Sequence, residues 1–120
     1  MKFSRSLRIN EEIKHIITDM IIEGKIKSKT INESKSIISI TRVDVVNDLK
    51  YATIYVSVFG NDIEDIVLSL NKISGFIRSE IGKKIKLRYT PELKFVSDTS
   101  IKDAMEMIEK IDRIAGKNQD

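Results

Sequence analysis

Between residues 4 and 23, apolar side chains recur at Ile9, Ile13, Ile16, Ile17 and Met20. Steps of three and four place them on one face of a helix. Ser4 stands where an N-cap is wanted, and Gly24 where a left-handed residue would close the last turn. From Lys25 to Ser36 the period lapses. Small polar residues alternate there with Lys25, Lys27, Lys29 and Lys35, which predicts a solvated connection. Ile37 to Val46 is β-branched and predicts a strand whose phase slips: Ile38 and Ile40 share one face, whereas Val43 and Val45 share it only if a bulge falls near Thr41 and Arg42. Asn47 to Lys50 supplies turn chemistry. Tyr51 to Phe59 then alternates cleanly, with Ala52, Ile54, Val56 and Val58 toward a core and Tyr51, Thr53, Tyr55 and Ser57 away from it.

Gly60 ends that strand, and Asn61 with Glu64 resembles a capping box. A single apolar stripe follows at Ile63, Ile66, Val67, Leu70, Ile73, Ile77 and Ile81, with Gly75 inside it and Gly82 at its end. An interior glycine costs about 1 kcal/mol relative to alanine, so Gly75 predicts a kink or a close backbone approach. A third strand is expected over Ile85 to Tyr89, continuing past Pro91 at Leu93 to Val96. A last helix starts near Ser100 and is expected to bury Ile101, Ala104, Met105, Ile108 and Ile111, fraying over Ala115 to Asp120. This order predicts an α+β chain: a small sheet with helices packed on one face. No internal repeat or boundary divides residues 1–120, which read as one domain with flexible ends at 1–3 and 115–120.

Composition narrows the chemistry. With 120 residues, 41% hydrophobic and 32% charged, the chain can bury a core of its own. No apolar run approaches the roughly 18 residues that span a bilayer, and no signal peptide is visible, so a cytoplasmic protein away from membranes is expected. There are no cysteines, and His15 is the only histidine. A metal site needs several ligands, so none is expected. No nucleophile elbow, phosphate-binding loop or dinucleotide glycine pattern occurs. Asp62, Glu64 and Asp65 fall where they complement a helix dipole, and Asp44 and Asp48 flank a turn. The residues thus supply no catalytic set, no cofactor site and no small-molecule substrate.

Charge is where the chain departs from a generic domain. From Leu70 to Ser97, Lys72, Arg78, Lys83, Lys84, Lys86, Arg88 and Lys94 face only Glu80 and Glu92, a local charge of +5 against +3 for the whole chain. The remainder is net acidic, so positive charge is segregated around a glycine and a helix end, which is what a phosphate backbone seeks. A plain solvated lysine surface is the competing reading. Tyr51 and Tyr55 share one strand face and are read either as base-stacking aromatics or as ordinary cross-strand packing.

Several landmarks occur together: Val43-x-Val45, Asp48-Leu49, Ala52, Tyr55-Val56-Ser57, Gly75-x-Ile77-Arg78, Leu87-Arg88 and Pro91-Glu92-Leu93-x-Phe95-x-x-Asp98. In that order and spacing they resemble the bacterial ribosome-binding factor A family, and Arg5 and Arg8 before an amphipathic helix fit as well. The resemblance reaches to about residue 114. It implies a single type II KH-like domain in which a kinked helix at Gly75 replaces the GxxG loop of ordinary KH domains. The corresponding triplet is Ile73-Ser74-Gly75, with isoleucine where the family has alanine, and Lys27-Ser28-Lys29 stands where a proline is usual. The resemblance implies a non-catalytic factor that binds the small ribosomal subunit and its rRNA in late maturation, with cold adaptation a common phenotype. Combined with the basic stretch, it nominates Arg5, Arg8, Lys72, Ser74, Gly75, Arg78, Lys83, Lys84, Lys86 and Arg88 as RNA contacts on a chain that is monomeric when free. The alternatives are a KH-like binder of other RNA and a protein-interaction module that uses an open sheet edge.

Overall fold

A computed structural model describes residues 2–46 and 48–118, with side chains described for 6–46, 48–100 and 103–112. The first helix, α1 (Lys2–Ile22), runs longer than its pattern predicts, so Ser4 lies inside it instead of capping it. Its far end matches expectation. Gly24 takes φ +68°, Gly24 N–H donates to Ile21 O (3.2 Å) and Lys25 N–H to Met20 O (2.9 Å). These two bonds satisfy carbonyls the helix would otherwise leave open.

The expected solvated connection is instead anchored. Ile26 and Ile31 are buried, Ile31 on a short helix, α2 (Lys29–Glu33), that packs against the helix after Gly60. The Ser28 hydroxyl accepts from Ile31 N–H (3.4 Å), and Asn32 Nδ2 donates to Ile26 O (2.8 Å). Two isoleucines five residues apart carry no helical or strand period, which is why the pattern hides them.

Strands β1 (Ile37–Val46) and β2 (Tyr51–Phe59) pair antiparallel. Register shifts between Ile40 and Arg42, leaving Thr41 as the bulged residue. The bulge restores phase, so Ile40, Val43 and Val45 all reach the core with Ala52, Ile54 and Val56. In the hairpin turn Asp48 and Leu49 have φ of +55° and +70°; Asn47 lies outside the described residues.

The long stripe after Gly60 forms two helices, α3 (Ile63–Lys72) and α4 (Ser74–Lys84), broken at Ile73. The break therefore falls two residues before Gly75, which lies within α4. Asp62, not Asn61, precedes α3, and its carboxylate is turned away from the helix to accept from the Ser34 and Ser36 hydroxyls. These bonds, Ser36 first, hold the Asp62 carboxyl below its usual range.

Gly82 does not end α4, which continues to Lys84. The expected strand over Ile85 to Tyr89 is a loop; Ile85 and Leu87 only dip into the core. The third strand, β3 (Glu92–Ser97), begins after Pro91, a buried residue with no N–H to give a ladder. β3 pairs parallel with β2, giving the order β1-β2-β3.

The covered face is filled by α1 across β1, by α3 and α4 across β3, and by α2 against α3. Among the described residues every buried core side chain is apolar. Full burial of an aliphatic side chain stabilises by roughly 1.5–3 kcal/mol, and Ile13, Ile17, Ile54, Ile66, Leu70, Ile77 and Ile81 are each 0% exposed. This layered arrangement leaves no place for α5 (Ser100–Asn118). The face expected to be buried is in water, with Met105 63%, Ile108 57% and Ile111 58% exposed, and Ala104 exposed as well. The Ile101 side chain lies outside the described residues. The covered side of the sheet is already occupied, and the open side carries Ser39, Arg42, Asp44, Thr53, Tyr55, Ser57, Lys94 and Val96 along its middle.

Candidate nucleic-acid interface

The break at Ile73 sets the cationic surface. Ile73 N–H bonds both Ser69 O and Leu70 O (3.3 and 3.2 Å), ending α3, while Ile77 N–H bonds Ile73 O (3.1 Å), starting α4. Lys72 is exposed at the last turn of α3, Ser74 is half-buried, and Gly75 is exposed. A Cβ on Gly75 would meet no atom within 4 Å. Among the described residues nothing packs against Gly75, so its backbone lies open on the surface.

Within α4 the close internal approach is at Gly82, where a Cβ would stand 2.9 Å from Thr90 Oγ1. That contact seats the 85–91 loop against α4. Arg78 fastens it: Nε and Nη2 both donate to Thr90 O, at 2.9 and 2.8 Å. Arg78 is thus a clamp as well as a cation. It lines a recess of about 390 Å³ with Lys50, Tyr51, Tyr89, Thr90 and Glu92.

Lys84 points elsewhere. It shares a shallow open groove of about 760 Å³ with Arg8, Glu11, Glu12, Lys14 and His15 of α1. Arg8 Nε lies 3.4 Å from Glu12 Oε1, and Lys83 Nζ donates to Glu80 Oε1 at 3.1 Å. The cation of each pair is largely exposed, where such bridges contribute little. Lys86 and Arg88 are exposed on the 85–91 loop. The helix thus directs Arg78 toward the hairpin turn and Lys84 toward α1. Lys72, Ser74 and Gly75 line neither recess. The Arg5 side chain lies outside the described residues.

Of the lysines between Lys25 and Lys35, Lys25 is engaged by Glu23 at 2.8 Å, a bond that raises the lysine pKa and lowers the carboxyl. Lys27 Nζ sits 5.4 Å from the Phe76 ring centre, joining the connection to α4. The tyrosine pair resolves in two ways. Tyr55 is covered by its cross-strand partner Arg42, 4.2 Å from the ring centre, whereas Tyr51 opens on the recess that Arg78 lines. Lys50 and Tyr89 were not among the nominated residues. Their only signal in the sequence was proximity to Tyr51 and Arg88.

The β3 edge is partly closed. Asn71 of α3 donates to Phe95 O (2.9 Å) and accepts from Phe95 N–H (2.8 Å), standing in for a strand partner. At the other end of β3, Asp98 accepts from the bulged Thr41 hydroxyl (2.6 Å) and from Ser100 N–H (3.0 Å). Ser100 and then Thr41 hold the Asp98 carboxyl below its ordinary range.

A helix, a two-stranded hairpin, a broken helix pair and a parallel third strand form a KH-like α+β fold. The profile of the ribosome-binding factor A family matches residues 5–111. The chain is 44% identical to ribosome-binding factor A of Clostridioides difficile over 116 residues, covering 97% of this chain and 89% of that one. It is 37% identical to the Gloeobacter violaceus protein of the same name over 121 residues, covering 99% and 92%. Its fold matches the crystal structure of ribosome-binding factor A from Thermus thermophilus at a TM-score of 0.63, with 14% identity over 77% of this chain and 94% of the other. The chain belongs to the ribosome-binding factor A family.

Proposed function

We propose that this protein binds the free small ribosomal subunit and its rRNA and assists late rRNA processing and folding without catalysing a reaction. Family membership across residues 5–111 is the observation that carries this reading; relatives under that name align over nearly the whole chain. The physical support is the surface around the helix break. Lys72, Arg78, Lys83, Lys84, Lys86 and Arg88 are all exposed there, and Gly75 leaves its backbone open. Phosphate contacts made by such residues position a protein without reading sequence, so selectivity comes from rRNA shape. In this account the protein acts in the cytoplasm as a single-domain monomer. The sheet-edge alternative is the weaker one, because Asn71 already occupies the β3 edge at Phe95.

Titrating purified small subunits at a series of salt concentrations tests the reading. Affinity should fall with a log–log slope of roughly −0.7 to −0.9 per phosphate contact, and Lys83→Ala/Lys84→Ala should weaken binding and flatten that slope by about two contacts while leaving the melting temperature unchanged. Arg78→Ala should weaken binding too, with some loss of stability, because it releases Thr90. A salt-independent affinity that survives the double change would place binding on another surface.

A further inference from the structure

We propose that the recess between the β1–β2 turn, α4 and the start of β3 binds one unstacked nucleotide of single-stranded RNA. Its base would lie against Tyr51 and Tyr89, its phosphate would meet Lys50 and Arg78, and its base edge would donate to Glu92. The proposal rests on the RNA-binding reading above and adds to it a site for a single strand.

The recess is built before any ligand arrives. Glu92 N–H donates to Lys50 O (2.9 Å), tying the hairpin turn to β3. Thr90 is held from below by the Arg78 fork and by the contact that Gly82 allows. Lys50 follows two left-handed non-glycine residues, Asp48 and Leu49, a conformation that persists only where surrounding contacts impose it. Walls fixed in this way lower the ordering cost of binding.

The lining suits a nucleotide better than a simple anion. Two of the chain's three tyrosines open here, Tyr51 at 49% and Tyr89 at 64% exposed. Among the described residues no cation covers either ring, in contrast to Tyr55 beneath Arg42. An exposed ring offers a base-stacking platform. Arg78 spends two of its five N–H donors on Thr90; the remaining three have no carboxylate within ion-pair distance among the described residues. A guanidinium already immobilised is well suited to a phosphate. An acidic peptide would satisfy Lys50 and Arg78 but leave both rings uncovered.

Glu92 gives the site a preference. It is the register partner of Tyr51 on β2, so the two side chains share the open face of the sheet. A carboxylate accepts from an amino group such as cytosine N4 and is repelled by the carbonyl that uracil presents at the same position. Bases bearing an exocyclic amine should therefore bind better than uracil.

The test compares fluorescently labelled hexacytidylate, hexauridylate and a short RNA duplex on the full chain, using wild type, Tyr89→Phe, Tyr51→Ala/Tyr89→Ala and Glu92→Ala. Wild type should bind hexacytidylate roughly threefold or more tighter than hexauridylate. The double alanine change should weaken hexacytidylate by about fivefold or more, with duplex binding much less affected. Tyr89→Phe, which keeps the ring, should stay near wild type, and Glu92→Ala should bring the two homopolymers together. Undetectable hexacytidylate binding, or binding indifferent to both tyrosines, would overturn the proposal even where wild type still sediments with small subunits. Failure to sediment with those subunits would instead remove the RNA-binding reading beneath it.

Discussion

Two long amphipathic helices bracket this chain, and only one of them is buried. α1 presents Ile9, Ile13, Ile16, Ile17 and Met20, each no more than 9% exposed, while α5 leaves Met105, Ile108 and Ile111 more than half exposed. Their periodicity is alike. The difference lies in what each helix meets. α1 lies across β1 and is pinned there by Asn10, whose Oδ1 accepts from Val45 N–H at 3.0 Å. α5 is fastened at its root through Asp98 and through Thr99, whose hydroxyl donates to Asp103 (2.9 Å). A hydrophobic stripe says which face of a helix is apolar; a second apolar surface must exist before that face is buried.

The largest effect that could break this comparison is core truncation. Ile13→Ala or Ile17→Ala should lower unfolding free energy by about 2–5 kcal/mol, whereas Ile108→Ala should change it by less than about 0.5 kcal/mol. Urea denaturation of the three variants measures both. Equal losses would mean that α5 is packed in solution. A smaller effect sharpens the same contrast inside α4. Gly75→Ala has open space around its new methyl and should stabilise by about 0.5–1 kcal/mol. Gly82→Ala must displace Thr90 Oγ1 and should gain less or lose; thermal melts of the two decide it.

The smallest effect concerns the root of α5. The bonds from Ser100 and then Thr41 hold the folded Asp98 carboxyl below its ordinary range, so its contribution to stability is present above the unfolded pKa and is lost as pH falls through the folded one. Asp62 is depressed in the same direction. Stability should therefore be flat near neutrality and decline below about pH 4. Asp98→Asn should cost under about 1 kcal/mol at pH 7 and shallow that acid limb. Unfolding curves across pH 2–7 that overlay for variant and wild type would show the Thr41–Asp98–Ser100 link to be idle.

The contrast also explains how much of the molecule could be read from its sequence. β2 alternates strictly, and the phase slip in β1 located the bulge at Thr41. Gly24 was legible because only one local conformation suits its place. Ile85 and Leu87 mimic a strand because they alternate while only dipping into the core; the ladder starts after Pro91, where pairing with β2 begins. A glycine is the stronger sequence signal for a break, so the pattern points to Gly75, whereas the hydrogen bonds change partner two residues earlier, at Ile73. At the surface, the cations were legible as a class. Their division was not, since Arg78 is turned to Thr90 and Lys84 to α1 by contacts between segments distant in sequence. Lys50 and Tyr89 join Arg78 only once the loop folds back on Gly82.

The central claim is tested most directly by co-sedimentation of the purified protein with isolated small and large ribosomal subunits at low and moderate salt. Selective pelleting with the small subunit, reduced as salt rises, is the expected result. Equal pelleting with both subunits would make the basic surface a general polyanion binder, and no pelleting at low salt would contradict ribosome binding by this chain.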